Sequence, residues 1–386
     1  MTEKLYYTDS HLFTFEAVVT DCREGKDGWL VELDRTAFFP EGGGQSADTG
    51  SIGPARVRDV HEREGHILHY TDRPLTVGEC YSGKLDAEQR HRRMQNHSGE
   101  HIVSGLIHGL YGFENVGFHM GAECMSMDYS GELDAGQLEK IERLANEAVR
   151  ANLPVRAWFP EEAELAHLPY RSKKELEGAV RLVSIPGIDL CACCAPHVSF
   201  TGEVGLIKIL NAERHRGGVR LSVLCGLDAL EECRKRQESA AAISALLSVP
   251  RDAVVTGTER LLAERDSLKE RVAALSMRLV ESLAAEQAET EGNICVFNPG
   301  LDEVASRELV NRLMERCGGF AAVFTGSDEG GWRYIIGSRH VDLRIHARTL
   351  NTALQGRGGG RPEMIQGQAA ASEAAIRTWA ETVRLG

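Results

Sequence analysis

Residues 1–88 alternate apolar and polar positions in short runs, FTFEAVV, GWLVEL and GHILHY, separated by Gly, Asp and Pro. A period of two broken by turn residues predicts short strands, and a run of such strands predicts a small β-barrel-like domain. From 89 to 225 the pattern mixes helical stretches (89–111, 134–151, 172–178) with strands such as GLIKIL and VRLSVL, which predicts an α+β domain. Ala, Leu, Glu and Arg then dominate 226–291, where Leu268, Val272, Leu275 and Leu279 step by four, three and four. That spacing is the seam of a coiled coil or of a long helical hairpin, with SVPRDAVVTG (248–257) as the break. Residues 292–386 open on ICVF and continue through an amphipathic helix near 303–316, strands GFAAVF and WRYIIG, a helix near 346–354 and a last helix after 370. This predicts a separate α/β domain, and the whole reads as an α+β multidomain chain. GRGGGRPEMIQGQ (356–368) stands out in it, too rich in glycine for a core segment and too ordered in composition for a plain linker.

Length and composition agree with several cores: 386 residues, 42% hydrophobic and 26% charged, are more than one core usually holds. The start MTEKLYYTDS is too polar for a signal peptide, and the longest nearly apolar run, AAAISALLSV (240–249), is too short to cross a bilayer. A cytoplasmic protein without a membrane partner is the expectation. In a reducing compartment ten cysteines do not make a disulfide scaffold, and the local cluster CACC (191–194) points to metal or redox chemistry. A net charge of −13 argues against non-specific coating of nucleic acid, yet leaves room for local basic faces. Two candidates are Arg90-His91-Arg92-Arg93 and RHRGGVR (214–220), each of which also reads as ordinary solvated charge.

Chemistry concentrates at QNHSGEHIVSG, where His97 and His101 lie four apart and so share one helix face. Alone such a pair is usually incidental. DLCACCAPHVSF repeats the spacing with Cys193 and His197, and two half-sites of mixed nitrogen and sulfur ligands make the tetrahedral set that zinc favours, one ion per chain. Cys191 is a poor alternative, because a Cys-x-Cys loop is cramped for chelation. His97-x-x-Glu100-His101 also satisfies the inverted zinc-protease pattern, with Glu100 as general base. A closed, non-catalytic zinc site in an RNA-binding module is a third reading.

FFPEGGGQSADTG (38–50), RRMQNHSGEHIVSG (92–105), CCAPHV (193–198) and GRGGGRPEMIQGQ, in this order, resemble the editing half of alanyl-tRNA synthetase across nearly the whole chain. With no room for the aminoacylation domain, the chain resembles the AlaX-type trans-acting editing proteins in their long form. The resemblance implies zinc-dependent hydrolysis of serine or glycine from tRNA(Ala), with His97, His101, Cys193 and His197 as ligands. It places Gln45 near the editing pocket beside Gly43 and Gly44, although a tight turn of positive φ would by itself explain Gly42, Gly43 and Gly44. GFHMGAECMSMD (117–128) would supply the polar group that recognises serine, His119 and Ser126 being the candidates. Arg92 and Arg93, with Arg357, Gly359, Gly360 and Arg361, would contact tRNA, and the helical and C-terminal parts imply a homodimer. Two departures stand out: CCAPH replaces the usual CGGTH, and Glu100 is not the residue usually found between the two histidines. A second sieve is physically required, since a pocket for alanine rejects an analogue that only adds a hydroxyl by roughly 10².

Overall fold

The computed structural model describes residues 2–26, 28–172 and 179–384. Its contacts divide the chain into two compact units, Met1–Ala241 and Ala242–Gly386.

The first unit begins with β1 (Glu3–Lys4), β2 (Thr14–Gly25), β3 (Gly28–Leu33), β4 (Arg35–Thr36), β5 (Gly50–Ile52), β6 (Ala55–Arg63), β7 (His66–Thr71) and β8 (Cys80–Leu85). Six of these strands close into a ring in the order β2-β3-β7-β6-β5-β8. Alternation explains the closure: Phe15, Ala17 and Val19 of β2 and Val31 and Leu33 of β3 point inward, joined by Val57 and Val60 of β6. Bulges at Val19/Asp21 and Val57/Asp59 bend the two long strands, as closing a small ring demands. Ala195, between Cys193 and His197 of the second half-site, completes this core, so the site is anchored to the ring.

There follow α1 (Ala87–Tyr111), β9 (Asn115–Met120), β10 (Met125–Tyr129), α2 (Ala135–Arg150), β11 (Arg156–Trp158), α3 (Glu162–Leu165), β12 (Leu182–Ile185), β13 (Asp189–Ala192), β14 (Ile207–His215) and β15 (Gly218–Cys225). The helix expected over 172–178 falls on residues 173–178, which lie outside the described residues. β14-β15-β10-β9 form one antiparallel sheet and β11-β12-β13 another. α1 is set by Asp86, whose side chain accepts from Gln89 N, and is ended by Gly112 in the left-handed region at φ 69°. Its middle is buried on nearly every side, polar residues included. Gly105 permits this depth: a Cβ there would stand 2.4 Å from Ile188 O and 2.7 Å from Asp189 Cβ.

α4 (Gly226–Leu247) contains the division between the units. The second unit comprises α5 (Val254–Glu286), β16 (Ile294–Phe297), α6 (Glu303–Leu313), β17 (Ala321–Ser327), β18 (Gly331–Gly337), α7 (Leu343–Ala353), β19 (Arg357–Arg361), β20 (Met364–Ala369) and α8 (Glu373–Thr382). Its mixed sheet runs β16-β17-β18-β20-β19. Ala322 and Phe324 face α7 and α8, whereas Ala321 and Val323 face α6 and the end of α5, where Val280 and Ala284 are buried. The last turns of α5 therefore belong to the core of this unit. The seam Leu268, Val272, Leu275 and Leu279 is exposed, at 49, 59, 61 and 39%. The glycine-rich segment forms the hairpin β19–β20, with β19 an exposed edge strand. No described helix is long and apolar enough to cross a membrane.

Candidate metal centre

Seven polar side chains of α1 between Gln95 and Ser104 are buried, and buried polar groups require partners. His97 and His101 project from one face with ring centroids 5.7 Å apart. Cys193 and His197 come from the segment after β13, the His197 ring lying 5.0 Å from that of His97 and 4.6 Å from that of His101. Cys193 Sγ is 3.5 Å from His97 Nε2 and 3.4 Å from His197 Nε2. One ligand atom from each of the four residues lies within 4.8 Å of all the others.

The outer nitrogens explain why the inner ones converge. His97 Nδ1 lies 2.9 Å from Gln45 Oε1, His101 Nδ1 2.9 Å from Asp189 Oδ2, and His197 Nδ1 3.0 Å from Ser98 Oγ. An amide oxygen and a carboxylate only accept, so Nδ1–H donates in the first two rings and the Nε2 lone pair points inward. Such outer partners fix the tautomer and raise ligand basicity. Asp189 is itself held by Arg171, whose Nε and Nη2 donate at 2.8 and 2.9 Å. Sequence reasoning missed Asp189 and Ser98. The one available signal was Asp189 at the head of DLCACC, next to the second half-site.

The four side chains set one another's charge. Burial opposes ionisation of Cys193, but the imidazoles of His97 and His197 and hydrogen bonds from His101 and His197 outweigh it and bring the thiol well below its usual range. Burial pushes His197 down to about 3 despite the attraction of Cys193, which keeps that ring neutral and able to ligate. Burial opposes a second proton on His101, but the hydrogen bond to Asp189, with Cys193 and Glu100 beside it, raises the ring well above its usual range, so a metal ion would have to displace that proton. A thiolate and three imidazoles with anchored outer nitrogens fit a tetrahedral zinc ion. His101, Asp189 and Cys191 form a second close group, but there the carboxylate is already engaged by Arg171.

The other sequence candidates are placed as follows. Gly43 and Gly44 have φ of 61° and 84°, whereas Gly42 does not have positive φ and pairs with Gln45 across the turn instead. Gly44 is needed for contact as well, since a Cβ would stand 2.6 Å from Phe118 O. Phe118 is the residue of β9 at the centre, its ring 5.1 Å from that of His97. His119 and Ser126 face each other across β9–β10 at positions alternate to Phe118 and Met127, so they are not brought to the cluster. Glu100 is fully buried and accepts from Ser104 Oγ at 2.6 Å and Asn115 Nδ2 at 2.7 Å, a position closed to the polypeptide substrate of a protease. Arg90 is buried against Asp48. Arg92 pairs with Asp228, and Arg93 donates to Ala47 O at 2.6 Å; both line a cavity of about 670 Å³ with Ser46, Asn96 and Met120. On β19, Arg357, Gly359 and Arg361 fall on one face, and no atom lies within 4 Å of a Cβ built at Gly359. Gly360 approaches Met364 O, where a Cβ would stand at 2.4 Å.

A half-buried cysteine and three buried histidines beside a glycine turn define the site, and comparison with known proteins gives the relatives of the chain that carries it. Residues 180–221 match the family described as the threonyl and alanyl tRNA synthetase second additional domain, and residues 291–383 match the DHHA1 domain. An alanine–tRNA ligase of Halobacterium salinarum is 35% identical over 362 residues, 87% of this chain and 38% of that protein. Those of Natronomonas pharaonis and Pyrococcus furiosus are 33 and 30% identical, each over 95% of this chain and 42% of the relative. The chain thus spans about two fifths of the length of the relatives it matches. A solved C-Ala domain from the Aquifex aeolicus alanyl-tRNA synthetase is 19% identical, covers 25% of this chain and 96% of its own, and has a TM-score of 0.21. With both domain matches and synthetase relatives along 87–95% of its length, the chain fits an AlaX-like protein similar to this part of alanyl-tRNA synthetase.

Proposed function

We propose that the chain is a hydrolase that deacylates tRNA(Ala) mischarged with serine, and also with glycine, at a zinc ion held by His97, His101, Cys193 and His197, and that it spares Ala-tRNA(Ala). The observation that carries this reading is the convergence of four ligand atoms whose outer nitrogens are anchored, in a chain with a synthetase second additional domain. Zinc, when bound, supplies a Lewis acid beside the scissile ester. Gln45 orients His97 through its amide oxygen, while its Nε2 is buried without a partner among the described residues and is the donor on offer to a substrate oxygen. Phe118 walls the site and keeps water from its apolar side. A pocket that hydrogen-bonds the serine hydroxyl leaves that group unpaired with alanine, at a cost of about 1–3 kcal/mol. By this reasoning serine esters react about 5- to 150-fold faster than alanine esters.

Arg92 and Arg93 would face the tRNA end from the cavity beside the glycine turn. Arg357 and Arg361, with the open backbone at Gly359 between them, would contact phosphates. The exposed apolar seam of α5 is the surface for a second copy of the chain. The test is release of labelled amino acid from Ser-, Gly- and Ala-tRNA(Ala). Rapid loss of serine with slow loss of alanine is expected, and equal rates on the two esters would refute the proposal.

A further inference from the structure

Outside this centre the first unit holds another group of metal-binding side chains: His11, His91 and Glu203, with one ligand atom of each within 4.8 Å of the others. They come from three separate segments: the loop before β2, the first turns of α1, and the short 3-10 helix Thr201–Val204. Glu203 is oriented from behind. Its Oε1 accepts from the backbone N–H groups of Ser199 and Phe200 at 3.0 and 2.9 Å, which turns Oε2 toward His11 Nε2 at 2.8 Å. His91 makes no hydrogen bond of its own among the described residues, and its ring centroid lies 6.5 Å from that of His11. An ion pair between His11 and Glu203 would account for two members of the group but leaves the second imidazole unexplained. The side chains of His11 and Glu203 are about one third exposed, at 30 and 29%, so ions and water can reach them.

We propose that His11, His91 and Glu203 form a second, three-ligand metal site that takes a divalent transition-metal ion, zinc first, with its remaining positions filled by water. Two imidazoles and one carboxylate suit zinc, cobalt and nickel, whereas calcium and magnesium prefer all-oxygen sets. The ion ties the loop before β2 to α1 and to the segment after the first centre. That loop also braces the first centre: Ser10 Oγ donates to His197 O at 2.6 Å, and Ser10 O accepts from Arg90 Nη1 at 2.9 Å. Occupancy therefore clasps the segment that supports one zinc ligand.

The two sites separate spectroscopically, because only the first contains a thiolate. Untagged full-length protein is stripped of metal and dialysed to equilibrium against cobalt(II). The wild type is expected to bind two ions, one with a thiolate-to-cobalt charge-transfer band and one without. His91→Ala and, independently, His11→Ala should lose the ion that lacks the band and keep the other. Cys193→Ser should lose the band and keep the second ion, so failure of the first centre is distinguishable from failure of this one. His91 is only half-buried on α1 and makes no hydrogen bond among the described residues, so its removal should leave the helix intact, and circular dichroism checks this. A wild type that binds no ion beyond the thiolate-linked one, or a His91→Ala variant that binds as many ions as the wild type, overturns the proposal.

Discussion

Replacing Asp189 by Asn isolates the outer support of the centre while leaving all four ligands in place. The carboxylate accepts three hydrogen bonds, from His101 Nδ1 at 2.9 Å and from Arg171 Nε and Nη2 at 2.8 and 2.9 Å, with side chains 1 and 8% exposed for Asp189 and Arg171. An amide of the same shape has one accepting oxygen, so its NH2 must face either Arg171 Nε or both His101 Nδ1 and Arg171 Nη2. Two consequences follow on different scales. Removing one charge of a buried pair costs about 3–5 kcal/mol, and Asn retains part of the hydrogen bonding, so about 3 kcal/mol is expected. At about 2–4 °C per kcal/mol for a unit of this size, the melting temperature falls by about 6–12 °C. Loss of a partner behind a metal-bound histidine typically costs 10–100-fold in affinity, or about 1.4–2.7 kcal/mol. Competition for zinc against a chromophoric chelator, well below the melting temperature, reads the second effect apart from the first. Cys191→Ser is the control, buried on the same strand but not a member of the four-residue cluster. Zinc affinity of Asp189→Asn within about twofold of the wild type would refute the argument that Asp189 fixes His101 for ligation.

The ring of strands carries a pH-sensitive group of its own. His69 is fully buried, with Nε2 2.8 Å from Thr36 Oγ1 and Nδ1 3.0 Å from Val31 O, and burial lowers it from 6.5 to about 4, partly offset by the bond to Val31. The unfolded chain therefore binds a proton below pH 6.5 that the folded chain refuses. Its contribution is complete above pH 6.5 and is lost as the pH falls toward about 4, in all about 3 kcal/mol. Unfolding free energies from pH 7 to 4.5 should fall less steeply in His69→Gln than in the wild type; parallel curves would show that His69 does not carry the dependence. At the other end of the chain, Arg357→Glu with Arg361→Glu should weaken tRNA binding and lower the slope of log affinity against log salt by about two, one for each phosphate contact removed. Zinc content should not change, and an unaltered slope in filter binding would leave the edge strand without this role.

What could be read from the sequence follows from how local each constraint is. His97 with His101, and Cys193 with His197, were visible because each pair is four residues apart within one segment. Asp189 and Ser98 act on those ligands across 88 and 99 residues with no periodicity to join them, and Gln45, 52 residues from His97, is placed near the site by family resemblance alone. Polarity misleads in α1 for the same reason: Glu100 and Ser104 look like surface positions but are buried in a network completed by Asn115 and Tyr129. Arg90 looks like part of a basic face and is instead the buried partner of Asp48, 42 residues away. On β9 the difficulty is parity, since a shift of one residue exchanges the two faces of a strand, and the sequence alone does not choose between Phe118 and His119. The glycines carry the missing information in a form that only the fold decodes. Gly44 lets the turn reach Phe118, and Gly105 lets the backbone before Asp189 reach α1. Each absent side chain marks where a distant segment must come close, which is how Gln45 and Asp189 arrive behind the histidines they orient.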